Sequence, residues 1–151
     1  MRLDMAGANT VDITFLKLTE SDAQLQAYGV YQRDHIETLV NAMLPPQSNK
    51  IYAVFYEGHN DRTCADAPRP AKPLGNVLVM YLHGLGKTAY PCDGNQWAAT
   101  QTSMPGYLDM AMLHEIMQAL GFVADGAPNE IIGTGHVNND PRDLMYAGPL
   151  P

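Results

Sequence analysis

The stretch NVLVMYLH, residues 76–83, is almost continuously apolar, and it decides the expected fold. A strand with one face in water alternates apolar and polar side chains, whereas a strand covered on both faces has no polar side. We therefore predict a strand at 76–83 that is buried on both faces. This run is far shorter than the roughly 18 to 20 apolar residues that cross a bilayer as a helix, so no membrane partner is predicted.

The residues upstream predict a strand, a helix and a second strand. TVDITFLKL (10–18) alternates apolar with polar residues, as a half-buried strand does. Apolar residues at helical spacing predict a helix over about 30–44, and KIYAVFYEG (50–58) predicts the second strand. Segments 58–75 and 84–107 are rich in Pro, Gly and Asp, which favours long loops. A strand–helix–strand order implies a right-handed crossover and a partly parallel sheet.

Composition and charge bound the class of protein. Of the 151 residues, 46% are hydrophobic and 17% are charged, as in a globular domain. The formal net charge of −7 argues against a nucleic-acid partner, because phosphate binding needs clustered Lys and Arg. The N-terminal MRLDMAGANT has no apolar segment, so no signal peptide is predicted in this chain. The predicted fold is α+β: one domain, 1–151, with a small twisted mixed β-sheet packed against two main helices.

The chain has two cysteines, Cys64 and Cys92, and both stand in loop-like sequence. Two free thiols in a cytosolic protein would fit these positions. A single disulfide would fit as well; it would close a ring of about 29 residues and contribute about 3 kcal/mol. We favour the disulfide, because small loop-rich domains gain most from such a bond.

The stretch LHEIMQALGF (113–122) predicts a helix over about 108–120 that carries His114, Glu115 and Gln118. A helix that is apolar around most of its circumference is normally buried, and a buried polar group costs roughly 1–3 kcal/mol unless it is paired. His114 and Gln118 are four residues apart and share a face, and Glu115 lies about 100° around the helix from His114. Such a cluster indicates a functional site.

The downstream stretch GHVNNDPRDLMYAG (135–148) supplies another imidazole, His136. Two side chains at i and i+4 can hold one zinc ion, while a Glu between them takes a proton from water. Gly121 would let the chain turn sharply, so that His136 can return as a further ligand. The alternative is a buried histidine that has Glu115 and Gln118 as hydrogen-bond partners.

HEIMQALGF and HVNNDPRDLMYAG together resemble the metzincin clan of zinc metallopeptidases, which carry HExxHxxG, a later ligand and a Met-containing turn. They are most similar to small secreted bacterial proteins of this kind. The resemblance extends to KIYAVFYEG, the following Cys and NVLVMYL. It implies a metzincin-like fold with a C-terminal Met-turn, a Zn²⁺ cofactor, a peptide or protein substrate and a secreted location. It further implies His114 and His136 as metal ligands, Glu115 as general base and Met145 as the Met-turn residue.

Gln118 stands where that family has its second His ligand. An amide oxygen is a weaker donor to zinc than imidazole, so three outcomes stay open. Gln118 ligates through its oxygen, in a weaker site or one suited to another metal; Asp140 or Asp143 completes the ligand set; or the site is empty. The leading hypothesis is a zinc peptidase-like hydrolase with His114, Gln118 and His136 as ligands. The alternatives are a non-catalytic binding module and a metal enzyme with a non-peptidase activity.

The remaining titratable residues carry weaker expectations. Asp143 is a candidate hydrogen-bond acceptor for a ligating His, since such ligands usually have one. His35 and His59 are predicted to be solvated surface residues. His83 is predicted to form a hydrogen bond at the end of its strand, with a place in the cleft as the alternative.

Overall fold

The structure is a computed structural model, and it describes residues 2–4, 10–12, 14–44, 50–68, 75–83 and 107–147. Its helices are α1 (Asp22–Gln26), α2 (Gln32–Met43) and α3 (Tyr107–Ala119), with a 3₁₀ turn at Gly29–Tyr31. Its strands are β1 (Arg2–Asp4), β2 (Thr10–Asp12), β3 (Tyr52–Tyr56), β4 (Ala65–Asp66), β5 (Val77–Tyr81), β6 (Glu130–Ile131) and β7 (His136–Val137). Within the described residues no helix is long and apolar enough to cross a membrane.

The strand β5 is the centre of a three-stranded mixed sheet, in the order β3-β5-β4. It runs parallel to β3, in a register from Tyr52↔Val77 to Tyr56↔Tyr81, and antiparallel to β4. Every residue of β5 is fully buried. The prediction of a strand buried on both faces is therefore confirmed, and so are the mixed sheet and the α+β class.

Alternate residues of β5 point to opposite faces of the sheet, as the period of two in a strand requires. On one face Val77, Val79 and Tyr81 pack against α1 and α2, in a cluster that also includes Leu25, Ile36 and Val40. On the other face Leu78 and Met80 pack against α3, through Ala111, Met112, Ile116 and Ala119. Each fully buried aliphatic side chain contributes about 1.5–3 kcal/mol, so the two faces of β5 hold both main helices in place.

The helix α3 is buried on its sheet-facing side and exposed on another. Met110 is 43% exposed and Leu113 is 45% exposed. The prediction of a buried helix is therefore correct for one side of the helix and wrong for the other. Glu115 and Gln118, at 7% and 6% exposure, belong to the buried part. The free-energy cost of burying polar groups therefore applies to Glu115 and Gln118, although part of the apolar surface of the helix is exposed to solvent.

The predicted strand over 10–18 is wrong in extent and in partner. Strand β2 ends at Asp12 and pairs with β1 in a separate two-stranded sheet. Ile13 lies outside the described residues, and 14–18 is not a strand. Leu16 and Leu18 pack against the core, while Phe15 is 94% exposed, so the apolar alternation does not mark a sheet position there. The parallel partner of β3 is β5, so the expected crossover from 10–18 does not form.

The other predictions along the chain have mixed outcomes. The helix over 30–44 is confirmed as α2 and the strand at 51–56 as β3. The predicted loop 58–75 is wrong in one part, because it contains β4, which pairs with β5. The loop predicted at 84–107 lies outside the described residues apart from Tyr107, the first residue of α3.

One cysteine of the predicted disulfide lies in the described part of the chain. Cys64 is disulfide-bonded and 4% exposed, and its carbonyl oxygen accepts a hydrogen bond from Tyr81 N at 2.9 Å. Cys92, the other cysteine of the sequence, lies outside the described residues, so its pairing with Cys64 stays a prediction.

Candidate metal centre

The end of α3 directs the chain back toward the polar cluster. Gly121 N donates to Gln118 O at 2.9 Å and Phe122 N donates to Met117 O at 3.1 Å, which is the hydrogen-bond pattern of a Schellman motif. Gly121 has φ +71°, a conformation that costs an L-residue about 1–2 kcal/mol. The predicted sharp turn at Gly121 is confirmed.

The returning chain forms a hairpin that presents His136 on β7. Strand β6 pairs with β7 through Ile131↔His136, and a turn of 132–135 joins the two strands. Val137 N donates to Met145 O at 2.9 Å, and Ala147 N donates to Val137 O at 3.2 Å. These bonds attach the segment before Ala147 to the strand that carries His136.

Met145 is buried at 6% exposure, in a small cluster with Val123 and Val137. The cluster joins the segment after α3 to β7 and to the turn at 141–146, so it fixes the backbone on both sides of His136. The Met-turn of the family resemblance stays a prediction.

The three predicted ligands meet at one place. His114 Nε2 lies 3.1 Å from His136 Nε2, and Gln118 Nε2 lies 2.7 Å from the same atom of His136. The two imidazole rings are stacked, with centroids 5.0 Å apart and an angle of 29° between their planes. His114, Gln118 and His136 are thus brought together from α3 and β7, 22 residues apart at the widest.

The protonation of His114 follows from its other nitrogen. Its Nδ1 lies 2.6 Å from Leu144 O, and a carbonyl oxygen only accepts, so Nδ1 carries the hydrogen. In the neutral ring Nε2 then presents a lone pair. A backbone carbonyl at Nδ1 is the usual orienting partner of a metal-ligating histidine.

The predicted acceptor for this role, Asp143, does not fill it. Asp143 Oδ1 accepts from Met145 N at 2.8 Å, which stabilises the turn itself. Asp140 binds Arg142 Nε at 3.0 Å and Nη2 at 2.8 Å, and these bonds lower its pKa below the usual range. Neither aspartate completes a ligand set, because the described residues contain no group of three His, Cys, Asp or Glu that could hold a metal.

The donor atoms that are present fit a metal ion. An amide N–H only donates, so the Gln118 bond makes His136 Nε2 an acceptor, and two imidazole lone pairs then face each other across 3.1 Å. This contact is repulsive unless a proton or a cation lies between them. Two nitrogens at about 2.0–2.1 Å from one zinc lie about 3.4 Å apart at a tetrahedral angle. Half a turn of the Gln118 amide would present its oxygen to the same point.

Glu115 lies at the border of the same cleft. The cleft has a volume of about 690 Å³, and both histidines, Glu115 and Gln118 line it, together with residues of 60–66 and of 141–146. The Tyr81 phenol is fully buried, which raises its pKa, and the carboxylates of Asp66 and Glu115 raise it further. Glu115 therefore lines the same cleft as the two imidazoles, beside a buried phenol.

Another border of the cleft is fixed by buried amides that sequence reasoning missed. Asn60 Nδ2 donates to Gln32 Oε1 at 3.0 Å, and Gln32 Nε2 donates to His59 O at 2.8 Å. Asn60 Oδ1 accepts from Arg62 N and Thr63 N, at 2.8 and 3.0 Å. Asn60 is followed by a run of polar residues typical of an Asx turn, a signal that would have indicated this role. The hydrogen-bond acceptor for His114, Leu144 O, is a backbone atom, so no residue type in the sequence indicates its role.

In comparisons with known proteins, no family model matches this chain, and neither a curated protein nor a solved structure is significantly similar to it. The resemblance to metzincins stays a prediction. The case for a metal centre depends on the geometry of its own residues.

Proposed function

We propose that the protein is a metal-dependent hydrolase and that His114, Gln118 and His136 hold its metal ion. The observation that carries this proposal is the approach of His114 Nε2 to His136 Nε2 at 3.1 Å, with the His114 tautomer fixed by Leu144 O. Two imidazole nitrogens directed at one point can share either a proton or a metal cation. We assign the cation because both rings line an open cleft.

Zn²⁺ is the ion that this donor set suits best, because zinc takes imidazole nitrogen readily and keeps an open position in catalytic sites. When bound, zinc polarises a carbonyl oxygen and lowers the pKa of a water molecule. Gln118 contributes a neutral oxygen after rotation of its amide, which makes the site weaker than one with three imidazoles.

Glu115 accepts the proton of the attacking water and delivers it to the leaving amine. Its neighbours in the chain support this role, since His114 precedes it directly and Gln118 follows by three residues on the same helix. Burial at 7% exposure keeps the carboxylate in a site of low dielectric, where proton transfer to a reacting group is most effective.

A peptide or protein is the proposed substrate, and the site is proposed to work outside the cytoplasm. The open cleft of about 690 Å³ has room for a chain segment. The disulfide of Cys64 fits an oxidising compartment. The peptidase class and the secreted location also rest on the resemblance of HEIMQALGF and HVNNDPRDLMYAG to metzincins.

Digestion of a defined peptide mixture, read by mass spectrometry, tests the function. Zinc-loaded wild-type protein is expected to release new termini, and a chelator is expected to stop this. His136→Ala is expected to be inactive. His35→Ala removes an imidazole that does not line the cleft, so this variant is expected to match wild type. Equal cleavage by wild type and His136→Ala would show that the activity does not come from this site.

A second candidate is a non-catalytic module that uses the cleft for binding. The observation in its favour is Gln118, whose amide leaves the described residues without three strong metal donors in one group. A protein that takes up zinc at His114 and His136 but cleaves no peptide at any pH would favour this candidate over the hydrolase.

A further inference from the structure

A second pair of histidines, His59 and His83, lies on the surface, at one edge of the three-stranded sheet. His59 follows β3 and His83 follows β5, and these two strands are adjacent and parallel. The carboxyl ends of parallel strands meet at one edge, the usual place for ligand sites in such sheets. His83 N donates to Gly58 O at 3.2 Å, which attaches the two strand ends to each other.

A carboxylate fixes the orientation of His59. Asp22 Oδ2 lies 2.9 Å from His59 Nδ1, and Asp22 Oδ1 accepts from His59 N at 2.9 Å. An ionised carboxylate only accepts, so His59 Nδ1 carries the hydrogen and Nε2 presents a lone pair. Carboxylate, imidazole and an outward lone pair are the three parts of an oriented metal-ligating histidine.

Asp22 is occupied by this orienting role. Its carboxylate also accepts from Tyr56 OH at 2.7 Å and from Gln26 Nε2 at 2.6 Å, which makes four hydrogen bonds in all. The backbone N–H of His59 donates to one oxygen of Asp22 and the amide of Gln26 donates to the other, so both oxygens act as acceptors. Each of its oxygens is already used twice. Asp22 therefore orients His59 and does not itself bind an ion.

The backbone beside this carboxylate is closely packed. A Cβ at Gly58 would lie 2.3 Å from Asp22 Oδ1 and 2.3 Å from the ring of Tyr56. Only glycine lets the chain pass so near the hydrogen bond between Tyr56 and Asp22. The position of His59, the next residue, is thus set by packing as well as by its bonds to Asp22.

The two rings are close enough to share an ion. The centroids of His59 and His83 are 5.8 Å apart, and their planes meet at 35°. Rings that bind one zinc through nitrogens at about 2.0–2.1 Å have centroids about 5 to 6 Å apart. Both side chains are accessible to solvent, with His59 47% exposed, so water can fill the other positions around an ion.

We propose that His59 Nε2 and His83 form a second, exposed binding site for a borderline divalent transition-metal ion. Imidazole donors select Cu²⁺, Ni²⁺ and Zn²⁺ and exclude the oxygen-binding ions Ca²⁺ and Mg²⁺. With no third His, Cys, Asp or Glu grouped there in the described residues, the ion exchanges readily. Its binding ties the ends of β3 and β5 to each other and to α1 through Asp22.

Metal stoichiometry separates this site from the cleft site. Equilibrium dialysis against free Ni²⁺ or Zn²⁺, with metal content read by mass spectrometry, is expected to give about two equivalents for wild type. His59→Ala and His83→Ala are each expected to lose one equivalent, and His35→Ala none. If His59→Ala and His83→Ala both bind as much metal as wild type, the exposed site is wrong. If His136→Ala binds as much as wild type, the cleft site is wrong instead.

The orienting role of Asp22 has its own readout. Asp22→Asn is expected to weaken metal binding at the exposed site by about 10- to 100-fold, the usual effect of losing an outer-shell acceptor. In wild type, ring ¹⁵N spectra are expected to show the metal-dependent shift at His59 Nε2 and not at Nδ1. A shift at Nδ1, or unchanged affinity in Asp22→Asn, would overturn the arrangement.

Discussion

The half-buried pair His114–His136 and the exposed pair His59–His83 use one design in two environments. The ring centroids are 5.0 Å apart in the half-buried pair and 5.8 Å apart in the exposed pair. In each pair one ring donates from Nδ1 to a fixed acceptor. Two oriented imidazoles are thus not enough to define a catalytic site.

The difference between the pairs lies in what surrounds them. Beside His114 are Glu115 and Gln118, at 7% and 6% exposure, and a cleft of about 690 Å³. Beside His59 the nearby carboxylate, Asp22, is saturated by four hydrogen bonds and cannot take a further proton from water as a free base can. Of the two pairs, the half-buried one shares its cleft with Glu115, the carboxylate proposed as general base.

The largest effect is expected from Glu115→Gln. Loss of a general base reduces turnover by about 10²- to 10⁴-fold, so peptide cleavage is expected to fall by that factor. Zinc binding at His114 and His136 is expected to persist, because the variant keeps the size of the side chain. Glu57→Gln, on the exposed segment after β3, is the matched control. Cleavage rates close to wild type in Glu115→Gln would remove the proposed mechanism.

Gln118→His tests the third donor beside the half-buried pair. Imidazole is a stronger zinc donor than an amide oxygen, so zinc affinity is expected to rise by about 10-fold or more. Isothermal titration with zinc, carried out in a His59→Ala background to silence the exposed pair, measures this. Unchanged affinity would mean that residue 118 does not face the ion.

Gly121→Ala tests the turn that returns the chain to the half-buried pair. At φ +71° an alanine is strained, and the free energy of unfolding is expected to fall by about 1–2 kcal/mol. Gly121→Asn is the control, because asparagine tolerates this conformation and is expected to lose less. Urea denaturation provides the measurement. An equal loss in both variants would point to a cause other than backbone conformation.

The smallest effect concerns the exposed pair and pH. The pKa of Asp22 is lowered in the folded protein. Its hydrogen bonds therefore stabilise the fold fully at any pH above the pKa of Asp22 in the unfolded chain, about 3.9. This stabilisation is lost as the pH falls through the pKa of Asp22 in the folded protein. The difference in unfolding free energy between wild type and Asp22→Asn is therefore expected to be full at neutral pH and to shrink in acid. A difference that grows in acid would contradict the lowered pKa.

The sequence predicted those parts of the fold and site that depend on local pattern. An apolar run without polar alternation gave β5, and helical spacing gave α2 and α3. The i, i+4 relation of His114 and Gln118 and the glycine after the helix predicted one face and one turn. All of these follow from the period of a regular element.

The features that the sequence did not predict are those set by tertiary contacts. Phe15 fits an alternating strand, yet it is exposed because 14–18 has no place in the sheet. His59 is solvent-exposed, as predicted, but its hydrogen bond to Asp22, 37 residues away, was not predicted. The acceptor for His114 is a backbone oxygen of Leu144, not the Asp143 side chain. A contact between distant residues leaves no periodic signal in the sequence.

Zinc K-edge X-ray absorption on the His59→Ala protein tests the half-buried pair His114–His136 most directly, because that variant retains only the cleft site. Two imidazole nitrogens at about 2.0–2.1 Å, with oxygen completing the shell, are expected. His136→Ala in the same background is expected to retain no zinc after dialysis. A spectrum with one imidazole or none, or zinc retained without His136, would contradict a metal centre at His114 and His136.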